Sequence, residues 1–124
     1  MPNKRYQQGL ETMKQIHGGQ AGENLINNLG EICPQITTLI IEWGFGKIMQ
    51  NKVVDLKTRE LAYIASLMTL GNALPQLQAH VEAALRIGAT REEVIEIMTQ
   101  TALCTGFPTA INAFIAVKPL LTKE

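Results

Sequence analysis

The sequence is poor in cysteine and aromatic residues and has no excess of either charge. It contains two cysteines, Cys33 and Cys104, and their separation suits neither a disulfide framework nor the ligand spacing of a metal site. Lysine plus arginine and aspartate plus glutamate number 11 each, and no basic run is interleaved with aromatic residues. The sequence therefore predicts neither a bound metal nor a nucleic-acid partner.

Long apolar runs are also lacking. No run reaches the roughly 18 residues that a membrane-spanning helix needs, and the first residues, MPNKRYQQGLETMKQ, do not contain the apolar segment of a signal peptide. With so little cysteine, this pattern predicts a soluble, cytoplasmic protein without a membrane partner. Its 124 residues are enough for one domain, over 1–124, with a core of its own.

Helix start and stop signals recur along the chain, whereas the alternating pattern of strands does not appear. Asn3 and Asp55 are suitable N-caps, Pro34 suits a first helical position, and Thr90 with Glu93 forms a capping box. We predict helices over about 3–17, 22–30, from 34, over 56–70, from 75 to Gly88, over 91–105 and over 108–116. The fold class is therefore all-α, a compact bundle of about six to seven helices.

Two ionisable residues fall where a helical projection places apolar ones. At about 100° per residue, Glu60 lies between Ile64 and Leu67, and His80 lies between Ala84 and Ile87. A buried carboxylate either takes a proton or finds a partner, and an imidazole is a suitable partner. Two consecutive helices can bring Glu60 and His80 together, which makes them a candidate catalytic pair. The alternative is structural, with Glu60 bonded to backbone amides and His80 to a carbonyl.

Three other residues are candidates for weaker reasons. Trp43 has helical spacing from core positions, but Gly44 and Gly46 leave room for a ligand beside it. Cys33, before Pro34, is either a boundary residue or a thiol activated at a helix start. Cys104 lies on the same arc as Ile97 and Thr101, which favours a core position and leaves substrate contact as the alternative.

Several blocks of the sequence, in their order and spacing, resemble the carboxymuconolactone decarboxylase family. The blocks are RYQQGLE, WGFGKI, DLKTRELAYIASLMTLG, LQAHVEAALRIGATREEVIEIMTQTAL and TGFPTAINAF. They span most of the chain and put Glu60 and His80 in the family's places. The resemblance implies an all-helical subunit in a homo-oligomer, a trimer or a homohexamer. Such an assembly would account for the apolar last helix, FPTAINAFIAV.

The resemblance also implies a choice between two chemistries. Peroxiredoxin-like members of the family, similar to the hydroperoxidase partner of alkyl hydroperoxide reductase, carry a C-x-x-C shortly before the histidine. Here Ala73 and Gln76 stand in those places, so a disulfide relay has no thiols. The decarboxylase branch remains, and with it a carboxy-lyase. A thiol-dependent peroxidase and a noncatalytic oligomer that binds small molecules are the alternatives.

The implied reaction is the decarboxylation of a small carboxylated lactone, as in the breakdown of aromatic compounds. The lactone carbonyl accepts the electrons, so no cofactor is expected. His80 would stabilise the growing charge and Glu60 would orient it or relay a proton. Trp43 and Cys104 would contact the substrate, and Arg59 or Arg86 would bind a second carboxylate.

Overall fold

Helices occupy most of the chain in a computed structural model that describes residues 3–122. They are α1 (Lys4–His17), α2 (Ala21–Leu29), α3 (Pro34–Leu39), α4 (Leu56–Leu70), α5 (Leu74–Arg86), α6 (Arg91–Thr105) and α7 (Phe107–Thr122). A π-helix (Ile40–Phe45) continues α3, and a short 3-10 helix (Ile48–Gln50) follows it. Within residues 3–122 there is no strand, so the predicted all-α class with six to seven α-helices is confirmed.

The chain divides into two compact units, Met1–Val54 and Asp55–Glu124. The first unit holds α1 to α3 with the π-helix and the 3-10 helix, and the second holds α4 to α7. The single domain over 1–124 stays a prediction.

Side-chain caps fix the starts of three helices as the sequence predicts. Asn3 Oδ1 accepts a hydrogen bond from the Tyr6 N–H at 2.8 Å, and Asp55 Oδ1 accepts one from the Thr58 N–H at 2.8 Å. In the capping box of α6, the Glu93 N–H donates to Thr90 Oγ1 at 3.0 Å and the Thr90 N–H donates to Glu93 Oε1 at 2.9 Å. These bonds satisfy backbone donors that the first turn of a helix leaves unpaired.

The last helix is longer than predicted. It begins at Phe107 and continues through Pro119 to Thr122, well past the expected end at Ala116. Pro119 removes the backbone donor to the Ile115 carbonyl, and the Gln78 side chain donates to the neighbouring Ala116 carbonyl at 2.7 Å. Val117 and Leu121 are buried in the core. Burial on both sides of Pro119 therefore keeps the segment helical.

Apolar stripes on the four helices form the core of the second unit. Each stripe repeats at three- or four-residue intervals, the spacing that places side chains on one helix face. The core includes Ile64 and Met68 of α4, Leu77, Val81 and Ala84 of α5, Val94 and Met98 of α6, and Ala110, Ala113 and Val117 of α7. None of the helices formed by residues 3–122 has the length and hydropathy needed to cross a bilayer.

Two carboxylates near the starts of α4 and α6 have pKa values below their ordinary range. The bond from the Thr58 N–H lowers the pKa of Asp55 from 3.8. The Lys57 ammonium, 2.8 Å from Glu93 Oε2, lowers the pKa of Glu93 from 4.5, with help from the Thr90 N–H. Both carboxylates are therefore more stable in the charged form when the protein is folded.

This arrangement predicts how stability depends on pH. A lowered folded-state pKa stabilises the fold above the ordinary values of 4.5 for Glu93 and 3.8 for Asp55, and that contribution is lost as the pH falls through the folded-state values. Asp55→Asn keeps an N-cap but removes the titration, so we expect thermal melts of this variant to depend less on pH between 3 and 6. Melting curves of variant and wild type that shift in parallel over this range would contradict the prediction.

Candidate active site

The Glu60 carboxylate of α4 and the His80 imidazole of α5 are in direct contact. His80 Nδ1 lies 2.6 Å from Glu60 Oε1. Because a carboxylate can only accept, Nδ1 carries the hydrogen and donates it to Oε1. The short distance is typical of a hydrogen bond strengthened by charge. The predicted meeting of these two side chains is confirmed.

Glu60 is held in the core because it belongs to the buried stripe of α4. Glu60, Ile64 and Met68 are spaced by four residues and all have a relative exposure of 0%. The stripe begins in the second turn after the N-cap Asp55, so the capped helix start sets the depth of the carboxylate. Placing an ionisable group there costs solvation free energy, which a partner must offset.

His80 lies at the edge of the buried stripe of α5. Leu77, Val81 and Ala84 of that helix are fully buried, whereas the His80 side chain is 21% exposed. The ring thus connects a buried carboxylate with the protein surface. With Nδ1 bonded to Glu60, Nε2 is the nitrogen on the far side of the ring, where it accepts a proton in the neutral state and donates in the charged state.

The second oxygen of Glu60 lacks a protein partner. Oε2 is buried and has no hydrogen-bond partner among the described residues. The structural alternative predicted that backbone amides would satisfy this carboxylate, but its one hydrogen bond to residues 3–122 comes from His80. An unpaired buried acceptor costs about 1–3 kcal/mol. The pair therefore retains a buried oxygen without a donor, which weakens the fold.

Tyr63 is a third member of this site that the sequence analysis did not single out. Its ring meets the His80 ring edge to face, with centroids 5.2 Å apart and an interplanar angle of 61°. Tyr63 follows Glu60 by three residues, so both side chains emerge on the same side of α4. This three-residue spacing from Glu60 was the signal that could have identified Tyr63 from the sequence. The ring restrains the orientation of the imidazole.

The other predicted residues lie in separate settings, each within its own unit of the chain. Trp43 belongs to the unit Met1–Val54, where it is 47% exposed and lies under the Arg5 guanidinium, so the core position was wrong. Arg59 precedes Glu60 on α4 and is half-buried. Arg86, in the last turn of α5, contacts Glu82 at 3.4 Å.

The two cysteines are free thiols in different settings. Cys33 is half-buried and directly precedes α3, the position that both interpretations of this residue predicted. Cys104 is exposed, which corrects the core position favoured from the sequence. The helical arc gave its side of α6 but not what covers that side. It lines a surface cleft of about 690 Å³ with Ser66, Thr69 and Gln100.

The site is a buried carboxylate bonded to a partly exposed imidazole. The class of protein is therefore an all-α protein with a Glu–His pair in its helical core. Residues 34–119, more than half of the chain, match the carboxymuconolactone decarboxylase family. The chain belongs to this family.

Three relatives extend the comparison. The 4-carboxymuconolactone decarboxylase of Acinetobacter baylyi is 29% identical over 110 residues, which cover 89% of this chain and 81% of that protein. The nitrosuccinic acid decarboxylase of Metarhizium robertsii is 29% identical over 118 residues, 91% of this chain and 78% of the relative. An uncharacterised 15.0 kDa protein of Paracoccus denitrificans is 32% identical over 95 residues, which cover 76% of this chain and 71% of that protein. Two of the three are named as decarboxylases, so the family is one of carboxy-lyases.

Proposed function

We propose that this protein catalyses the cofactor-free decarboxylation of a small carboxylated lactone or a closely related small acid. The observation that carries the proposal is the 2.6 Å contact between His80 Nδ1 and the fully buried Glu60 carboxylate. Such a pair supplies a proton donor and a nearby acceptor at one place, which is what loss of carbon dioxide followed by protonation of carbon requires.

The reaction needs little from the protein besides charge stabilisation and a proton. The bond between carbon and the carboxylate breaks, carbon dioxide leaves, and the electron pair spreads through the ring double bond to the lactone carbonyl oxygen. One proton is then added to carbon, so the overall change is replacement of carbon dioxide by hydrogen. The substrate holds its own electron sink, and the site must favour the negative oxygen over the carboxylate.

His80 and Glu60 have separate roles in this scheme. In its charged form the His80 ring donates through Nε2 to the carbonyl oxygen and then passes that proton to carbon, while Nδ1–H stays bonded to Glu60. The Glu60 carboxylate stabilises the imidazolium and fixes the ring. Its unpaired Oε2 is a second place where a proton can reside during turnover.

The named substrates of the two decarboxylase relatives suggest the range of acids to test. A lactone carbonyl and a nitro group are both strong electron sinks, and both acids keep a second carboxylate when carbon dioxide leaves. We assign that second carboxylate to Arg59 or Arg86, since guanidinium groups bind carboxylates through two parallel hydrogen bonds. Trp43 and Cys104 stay proposed substrate contacts.

The test is direct measurement of decarboxylation by the purified wild-type protein. 4-Carboxymuconolactone and nitrosuccinic acid are supplied separately, without cofactor and with a metal chelator, and substrate loss and carbon dioxide are measured together. We expect one carbon dioxide per substrate consumed for at least one acid. If neither acid releases carbon dioxide faster than in buffer alone, this substrate range is wrong and a binding protein becomes the better reading.

Tyr63 provides a prediction about how the imidazole is held. Tyr63→Phe keeps the ring against His80, whereas Tyr63→Leu removes it. An aromatic pair of this kind contributes about 0.5–1.5 kcal/mol, so we expect Tyr63→Leu to lower kcat up to about tenfold and Tyr63→Phe to lower it less than about threefold. Steady-state kinetics on the decarboxylated acid measure both. Equal loss in the two variants would instead assign the effect to the tyrosine hydroxyl.

A thiol-dependent peroxidase, the alternative function, would need a cysteine for activity, whereas the proposed decarboxylase would not. We expect Cys33→Ser and Cys104→Ser both to keep kcat within about twofold, because neither thiol has a C-x-x-C partner. Cys104 is a proposed substrate contact, so Cys104→Ser is expected to change KM and not kcat. A peroxide-consumption assay runs in parallel. Loss of kcat in either variant, or peroxide reduction that requires either thiol, would favour the redox function.

We also propose that the protein assembles as a homo-oligomer, a trimer or a hexamer, in the cytoplasm. Phe107, Ile111 and Ile115 of α7 are spaced by four residues and all are exposed, and Leu103 of α6 is 87% exposed. Contiguous apolar residues of this kind are typical of an interface, and a second copy of the chain is the occupant we assign. Light scattering tests the assembly, and Ile111→Glu is expected to shift it towards a monomer.

A further inference from the structure

A cleft of about 640 Å³ opens in the unit Met1–Val54. Lys4, Arg5 and Lys47 line it, and no carboxylate is found among its described lining residues. Residues 3–54 contain five lysine or arginine residues and four glutamates, and three of these cations but none of the glutamates line the cleft. Positive potential is therefore concentrated in this cleft, although the formal net charge of the protein is zero.

The π-helix shapes one wall of the cleft. The Gly46 N–H donates to the Ile41 carbonyl, five residues earlier, at 2.8 Å, and Lys47 follows directly. A side chain at position 46 would collide with the Arg5 carbonyl oxygen, so only glycine allows this close approach to α1. π-helices are rare and are frequently found at functional sites.

Two of the lining residues are held in place before any ligand arrives. The Arg5 guanidinium carbon lies 4.6 Å from the centre of the Trp43 ring, a cation–π contact that restricts a flexible side chain. Gln50 Nε2 donates to Thr12 Oγ1 at 2.7 Å and to the Phe45 carbonyl at 2.9 Å, which anchors the 3-10 helix that follows Lys47. Binding at Arg5 then loses less conformational freedom than binding at the exposed Lys4 and Lys47.

One carboxylate lies beside the rim of the cleft. The Asn3 side-chain amide donates to Glu42 Oε1 at 2.9 Å, and its oxygen accepts from the Tyr6 N–H. Asn3 is neutral, so this carboxylate offsets part of the positive potential. Three cations among the lining residues and one carboxylate beside them leave an excess of positive charge at the cleft.

We propose that this cleft binds a small molecule that carries two or more negative charges on carboxylate or phosphate groups. Three cations without a lining carboxylate favour a multivalent anion over a neutral or cationic ligand. The volume lies within the range of sites for small molecules. Arg5 offers two parallel N–H donors, and Lys4 and Lys47 contribute point charges around it.

Trp43 makes the proposal testable because it is the protein's single tryptophan and lies against Arg5. The emission of Trp43 is recorded during titration with sodium succinate and, separately, with sodium phosphate, at constant ionic strength set with sodium chloride. Calorimetry on the same samples gives a second measure of binding. We expect a saturable response to succinate, phosphate or both, and the one that saturates at lower concentration identifies the anionic group.

Matched variants distinguish this site from general attraction of anions. Lys4→Gln and Lys47→Gln each remove one lining charge and are expected to weaken binding at least about fivefold. Lys14→Gln removes the same charge from an exposed position of α1 outside the cleft and is expected to change binding less than twofold. Flat emission and calorimetry with both anions, a response equal to that of sodium chloride, or equal weakening by Lys14→Gln would each overturn the proposal.

Discussion

Replacing His80 by Asn is expected to lower decarboxylation at least about 100-fold while shifting the melting temperature by only a few degrees. The amide nitrogen of Asn occupies nearly the same position as Nδ1, so the hydrogen bond to the buried Glu60 can remain. Nε2, the nitrogen that we assign to the substrate, is removed. The variant thus separates the chemical role of the ring from its role in the fold.

His80→Gln is the matched companion. Its amide nitrogen lies near the position of Nε2 and not of Nδ1, so a polar group faces the substrate while Glu60 loses its donor. We expect this variant to be as inactive as His80→Asn but less stable. Steady-state kinetics and thermal melts on both proteins, at matched assembly state, give the comparison. Wild-type turnover by a folded His80→Asn protein would remove His80 from the mechanism.

The second prediction is that replacing His80 by leucine destabilises the fold more than replacing Glu60 by leucine. His80→Leu is expected to lower the free energy of unfolding by about 3 kcal/mol, because it leaves a fully buried carboxylate without a partner. Glu60→Leu is expected to cost less than about 1 kcal/mol, since the partly exposed His80 ring can still reach water and since the unpaired Oε2 disappears.

Urea denaturation of the two single variants and the double variant measures this asymmetry. We expect the double variant to be more stable than His80→Leu alone, because an apolar residue at position 60 needs no donor. A loss of several kcal/mol in Glu60→Leu would contradict this account and would favour a structural carboxylate with backbone partners. If the expected order holds, the pair is retained for a reason other than stability.

Local signals allowed much of the fold to be predicted. The bounds of α1, α4 and α6 follow from side-chain caps and terminal glycines, which act within a few residues and are visible in the sequence. The end of α7 was missed because Pro119 stops a helix by local rules, while its continuation depends on burial of Val117 and Leu121. The same limit applies to the π-helix, which no local signal predicted.

At the candidate site, too, local sequence patterns predicted the helix face of a residue but not its tertiary contacts. Helical projection placed Glu60 on a buried face, because its neighbours at four-residue spacing are apolar. It also gave the correct arc for Cys104 but could not show that this side of α6 is open. Trp43 was expected in the core for its spacing alone, although its ring lies under Arg5, a residue 38 positions earlier in the chain.

The π-helix between α3 and the 3-10 helix also affects how this region can change in length. A π-turn holds one more residue than an α-turn, so it corresponds to a single inserted residue that the helix has absorbed. Deleting one residue from Ile40–Phe45 would remove this extra residue and restore the α-helical repeat, while the flanking residues keep their register. Lys47 would then stay in the cleft that it shares with Lys4 and Arg5. In this segment a one-residue deletion is therefore a smaller change than in an uninterrupted α-helix, where it rotates the following turn by about 100°.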